Sequence, residues 1–195
     1  MFLMIVRPLG FMLCFMNIRD YRDNDLAALT NLHSVSKQVA EKGIILDDDL
    51  AIFTPKYYID KWQIWSQSDE NHIRLAFDGD KLIGFVNFGK VKTRPAFDKG
   101  IVPKFGGEIY ALYVHPDHFS KGVGQALFKD ACAILSTQKI NSMILWAMKK
   151  NKRACAFYDK MGGERVGKQK IEIGQRSWAE ESCFAWKDVR SLVNL

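Results

Sequence analysis

The sequence predicts a single mixed α/β domain, a central sheet with helices on its faces, and three observations predict it. Apolar runs of strand character (Ile73 to Phe77, Leu82 to Phe88, Glu108 to Val114, Ser142 to Ala147) alternate with stretches of helical spacing. Turn signals separate them, Asp78-Gly79-Asp80 and Gly174-Gln175-Arg176 above all. A chain of 195 residues that is 48% hydrophobic is long enough to bury one core of its own.

In chain order, Ile18 to Tyr21 reads as a short strand. Asp23 or Asp25 then caps a helix carrying Leu26, Leu29, Leu32 and Val35, and Gly43 ends that region. Asp47-Asp48-Asp49 precede a second helix, about Pro55 to Gln67, with Tyr58, Trp62 and Trp65 along one side. A hairpin follows, then an irregular basic loop from Lys90 to Gly107, of a length that is usually functional or mobile. Next come a strand to Val114, a glycine turn, a helix to about Thr137, and the buried strand Ser142 to Ala147. A helix from Lys152 to Met161 is closed by Gly162-Gly163, and a hairpin (Arg165 to Ile173, Trp178 to Trp186) ends the domain. The order is β-α-α-β-β-β-α-β-α-β-β.

Residues 1–15, MFLMIVRPLGFMLCF, read as a hydrophobic extension ahead of a domain at 16–190. Arg7-Pro8 interrupts the run, no small-residue cleavage site follows, and Met16-Asn17-Ile18-Arg19 has the form of a natural strand start. The expectation is a segment upstream of the native start. The alternative is an arm that docks on the domain or on a second copy.

The net charge of +6 suits an anionic partner: nucleic acid, a membrane surface or a phosphorylated cofactor. The interleaved aromatics or helix-turn-helix of a nucleic-acid binder are missing, and no run has the length of a membrane span. Cys14, Cys132, Cys155 and Cys183 are scattered without a C-x-x-C pair, which points to reduced thiols and a cytoplasmic protein. His115 and His118 share no ligand spacing with an acid or cysteine, so no metal is expected.

The segment Leu112 to Gln125, L-Y-V-H-P-D-H-F-S-K-G-V-G-Q, carries the chemistry. A strand runs through a Pro/Asp turn into Gly122 and Gly124, which open an amphipathic helix. Backbone N–H groups at such a start point outward and, with the helix dipole, hold phosphate oxygens. Two nucleotide motifs fail. Gly84 to Lys90 has Walker A spacing, but Val91 replaces the Ser/Thr and strand formers fill the loop; Gly122-Val123-Gly124 lacks the third glycine of a dinucleotide fingerprint, where Leu127 stands.

A third pattern fits. The strand Leu112-Tyr113-Val114, the turn His115-Pro116-Asp117 and the glycines Gly122 and Gly124 resemble the acetyl-coenzyme A motif of the GNAT superfamily of N-acetyltransferases. A second block, Asn151-x-x-Ala154-x-x-Phe157-Tyr158-x-x-x-Gly162, stands at that family's order and separation. The likeness runs from about Asn17 to Asp188, and Gly43 to Leu50 with Trp62 resemble one bacterial subgroup. Phe119 and Ser120 depart from it, standing where the family usually has Gln or Arg and Gly.

The resemblance implies a mostly antiparallel sheet of about seven strands flanked by about four helices, acetyl-coenzyme A as co-substrate and a small-molecule or protein amine as acceptor. A homodimer is left open. The cofactor would lie along Leu112, Tyr113 and Val114, over Phe119, Ser120, Lys121, Gly122, Val123, Gly124 and Gln125, and against Asn151, Ala154, Phe157 and Tyr158. Lys149, Lys150, Lys152 and Arg153 would stand near its adenosine phosphates. An alkyl amine of pKa ~10.4 is neutral in roughly one molecule per thousand at pH 7, a deficit of about 4–5 kcal/mol that a base offsets. Glu108 is the expected base and Tyr158 the expected donor to the leaving thiolate. Tyr110, Trp62 and Trp146 would shape the acceptor site. Asp47-Asp48-Asp49 would either draw a cationic amine or merely cap a helix. The rival reading is a silent acyl-coenzyme A-binding module of the same fold.

Overall fold

The computed structural model describes residues 16–92 and 104–193; the extension at 1–15 and most of the basic loop lie outside them. Seven strands form one sheet in the order β1-β2-β3-β4-β5-β7-β6. They are β1 (Met16–Asp20), β2 (Asn71–Asp78), β3 (Lys81–Lys90), β4 (Gly107–Val114), β5 (Met143–Met148), β6 (Glu164–Ile173) and β7 (Ser177–Trp186). Only β4 and β5 run parallel; every other neighbouring pair is antiparallel. The helices are α1 (Leu26–Glu41), α2 (Asp47–Leu50), α3 (Pro55–Ser66), α4 (Val123–Thr137), α5 (Lys152–Lys160) and α6 (Arg190–Val193). The fold is the expected one, with α2 and α6 as additions too short to show in the periodicity.

The sheet separates two cores. On one face α4 and α5 bury Leu127, Phe128, Leu135, Cys155 and Tyr158 against Val86, Phe88 and Ile109. On the other, α1 and α3 bury Leu29, Leu32, Tyr58 and Trp62 against Leu75 and Phe85. Cys132, Cys155 and Cys183 are buried, and burial pushes the Cys132 thiol up to about 12.

Two acidic segments differ from expectation. Asp25 does not cap α1 through its side chain; it takes a two-pronged ion pair from Arg19, 2.7 Å on each oxygen, and the N–H of Arg22. Asp49, in α2, is buried, and its oxygens accept the N–H groups of Gln175 (2.7 Å) and Arg176 (3.1 Å) at the β6–β7 turn. A carboxylate is the natural acceptor for two converging N–H groups. The Gln175 N–H first, then the Ser177 hydroxyl, hold the Asp49 carboxyl below its usual range. A folded-state pKa below the unfolded value gives stability at neutral pH that is lost as pH falls. Asp49→Asn is therefore expected to melt a few degrees below the wild type at pH 7, with the gap closing below about pH 4. A gap that stays constant from pH 7 to pH 3 would contradict this role.

Candidate active site

The site begins where β4 and β5 part. Their pairing covers Gly107 with Met143, Glu108 with Ile144 and Ile109 with Leu145, and then stops, although β4 runs on to Val114 and β5 to Met148. A bulge in β4 sets the divergence: Asn87 of β3 faces Ala111 and Phe88 faces Ile109, so Tyr110 is the extra residue. Ile109 accordingly packs on the α4 face, while Ala111 and Tyr113 pack on the α1–α3 face. The opening is a cleft of about 980 Å³ lined by Tyr110 to Val114, Trp146 to Met148 and parts of α1, α3, α4 and α5.

One end of the cleft carries the open start of α4. Gly122 caps α4 with φ +84°, a left-handed conformation that glycine adopts without strain. The first bond of the helix runs from Ala126 N–H to Gly122 carbonyl, leaving the N–H groups of Val123, Gly124 and Gln125 ahead of the ladder. Phe119, Ser120, Gly122, Val123, Gly124 and Gln125 line the cleft here; Lys121 is exposed and outside its wall. Phe119 lies under the Arg153 guanidinium, 3.6 Å from ring centroid to Cζ, a cation–π contact. The basic run divides: Arg153 lines the cleft, while Lys149, Lys150 and Lys152 border a separate hollow beside Trp178.

The α5 block stands in the cleft wall. The Asn151 side chain accepts the Ala154 N–H at 3.0 Å and caps α5, and Asn151, Ala154, Phe157 and Tyr158 all line the cleft. Tyr158 is buried among Phe157, Phe184 and Trp186. Burial raises its phenol above the ordinary range, so the hydroxyl stays protonated at neutral pH and well above.

Glu108 stands in the paired part of β4, 1% exposed, and its Oε2 accepts the Lys92 N–H at 3.0 Å. Its side chain is not part of the cleft wall. Tyr110 and Trp146 do line the cleft, and the Tyr110 hydroxyl donates to the Lys90 carbonyl. Trp62 must be corrected. It is fully buried, its indole N–H donates to His33 Nδ1 at 3.2 Å, and it does not reach the cleft. Trp65 and Tyr57, at the edge of the same helical stripe, do. Trp62→Phe should lower stability by about 1–3 kcal/mol without raising KM for either substrate. Chemical denaturation beside steady-state kinetics checks this, and a raised KM at unchanged stability would contradict it. The Asp47-Asp48-Asp49 run also lies outside the cleft wall.

Among the described residues, three carboxylates of the cleft wall escaped sequence reasoning, Glu41, Glu172 and Glu181, and the buried one of them is Glu41, at the end of α1. It is 4% exposed and lines the cleft; its Oε1 receives Lys37 Nζ at 2.6 Å and the Tyr113 hydroxyl at 3.3 Å. Burial first, then Glu41, lifts the Tyr113 phenol well above its normal range. Among the described residues no group of three or more His, Cys, Asp and Glu could hold a metal ion. No helix of theirs is long and apolar enough to cross a membrane.

Residues 39–163 match the acetyltransferase (GNAT) family. The chain belongs to that family, and it is an acyltransferase. Among relatives of this GNAT protein is an uncharacterized N-acetyltransferase of Bacillus subtilis, 26% identical over 91% of this chain and 96% of the relative. A mycothiol acetyltransferase of Geodermatophilus obscurus is 33% identical over 91 residues, 47% of this chain but 28% of the relative. Many solved structures share the fold, and two of them serve as examples. PaiA N-acetyltransferase from Thermoplasma acidophilum, in complex with coenzyme A, has a TM-score of 0.63 and 19% identity over 86% of this chain and 97% of its own. An N-acetyltransferase from Staphylococcus aureus Mu50 has a TM-score of 0.64 and 16% identity over 89% and 98%.

Proposed function

We propose that this GNAT acetyltransferase moves an acetyl group from acetyl-coenzyme A to a primary amine by direct attack within a ternary complex. The observation that carries the reading is the parted end of β4 and β5, with an uncovered helix N-terminus at its mouth and Tyr158 in its wall. The fit is physical: phosphate oxygens need converging N–H groups, an extended amide-bearing arm needs a free strand edge, and both are present. That one structural neighbour is a coenzyme A complex agrees with it.

In this reading the N–H groups from Lys121 to Gln125 hold the diphosphate, and the β4 edge at Leu112, Tyr113 and Val114 pairs with the pantetheine arm. Bound acetyl-coenzyme A supplies the thioester. The amine nitrogen forms the new C–N bond as the C–S bond breaks, and the Tyr158 hydroxyl gives its proton to the sulfur. Glu108, buried and outside the cleft wall, takes the amine proton through a water rather than directly. Thiol release from acetyl-coenzyme A with a panel of primary amines tests the reading. Release that depends on an amine supports it. Coenzyme A binding with no release on any amine would favour the silent binding module instead.

A further inference from the structure

Three buried side-chain oxygens among the described residues have no hydrogen-bond partner: Glu41 Oε2, Asn87 Oδ1 and Gln169 Oε1. Two of them, on Glu41 and Asn87, belong to residues in the wall of the cleft. Both lie on the α1–α3 face of the sheet, opposite the face on which α4 packs. Glu41 meets the hydroxyl of Tyr113, and Asn87 is in register with Ala111, two residues earlier on β4. About 7 Å of strand separates those two positions.

The chemistry of the pair is one-sided. A carboxylate offers about four acceptor sites, and here both donors, Lys37 and Tyr113, converge on Oε1. They fix the carboxylate in one orientation and leave Oε2 unsatisfied. Lys37 Nζ also lies over the Phe53 ring, 4.5 Å from its centroid. Asn87 adds another acceptor on the same face. A buried acceptor without a donor is destabilising, and a ligand rich in N–H groups relieves it. An alkylammonium, with three donors and one positive charge, meets that demand. The cleft wall also carries Phe53, Tyr57, Trp65 and Tyr110, and the ammonium groups of Lys37, Lys61 and Lys92 lie over the first, second and fourth of these rings.

We propose that Glu41 and Asn87 form the acceptor's ammonium subsite, and that the acceptor is a primary amine carried on an apolar or aromatic body. This rests on the acetyl-transfer reading above. Glu41 Oε2 receives the charged amine on arrival. The Asn87 carbonyl accepts from the ammonium and from the neutral amine alike, so the nitrogen stays held after its proton has left.

The test uses phenethylamine as acceptor at saturating acetyl-coenzyme A, with wild type, Glu41→Gln and Asn87→Leu. Glu41→Gln keeps the shape and removes the charge. It should raise the phenethylamine KM about tenfold or more, the worth of one charge-assisted hydrogen bond, while the KM for acetyl-coenzyme A and the Kd for coenzyme A stay unchanged. Asn87→Leu should raise the same KM by a smaller factor. The unchanged coenzyme A affinity and a cooperative melt show that each variant is folded. A phenethylamine KM that is unmoved in both variants overturns the subsite. So does a wild type that acetylates other amines and ignores phenethylamine. Failure of the wild type to bind coenzyme A at all would instead remove the acetyl-transfer reading, a different and separable outcome.

Discussion

Tyr158→Phe lowers kcat by about 10²- to 10³-fold and leaves coenzyme A binding as it was, the loss expected when a general acid is removed from a step it serves. The ring is packed by Phe157, Phe184 and Trp186, and phenylalanine keeps every one of those contacts. What disappears is the proton that meets the departing sulfur. A free thiol has a pKa near ~8.5, so without a donor the step must expel the sulfur as a thiolate. The pH profile gives a second reading of the same group. Burial raises the Tyr158 phenol, so the protonated, competent form persists above the pH where an ordinary tyrosine ionises. The wild-type rate should therefore show no alkaline fall from this group up to about pH 10. An unchanged kcat in Tyr158→Phe would remove this residue from the mechanism.

Gly124→Leu separates stability from donor binding. A Cβ at position 124 would lie 3.6 Å from Val114, 3.7 Å from Phe157 and 3.8 Å from Leu112, all ordinary contacts. It therefore points into the gap between β4 and α5 without clashing. Gly124 is in the first turn of α4, where exchanging glycine for a better helix former gains up to about 1 kcal/mol. The remaining carbons of leucine must then occupy the gap in which the pantetheine arm is proposed to lie. The expected result is a melting temperature equal to or above that of the wild type, with a KM for acetyl-coenzyme A raised about 10- to 100-fold. Gly124→Ala, which adds only the methyl, should fall between. If leucine leaves the acetyl-coenzyme A KM unchanged, the donor does not run past this position.

What was legible in the sequence was local. The hairpin at Asp78-Gly79-Asp80, the capping Asn151 and the glycine-opened α4 each depend on a few neighbouring residues, and each is where the sequence put it. Features that depend on long-range contact were not. Trp62 and Trp65 share one helical stripe, and only the packing of α3 against α1 and the sheet decides that the first is enclosed while the second reaches the cleft. Asp49 looks like a helix-start residue, yet its partners lie 126 and 127 residues away. Glu41 carries no motif at all. It becomes part of the site because the end of α1 is brought against β4, where the Ser36 hydroxyl bonds the Val114 carbonyl and the Tyr113 hydroxyl meets the carboxylate. The bulge at Tyr110 has no glycine or proline to announce it, and it sets which β4 side chains face the acceptor side.

The central claim is that acetyl-coenzyme A lies in the gap between the parted ends of β4 and β5, with its diphosphate on the start of α4. Titration of coenzyme A into ¹⁵N-labelled protein, followed by amide NMR, tests it most directly. The account predicts that the largest shifts fall on Leu112 to Val114 and on Lys121 to Gln125, with the amides of β1 and β2 unmoved. Shifts concentrated elsewhere, or none at saturating coenzyme A, would contradict it.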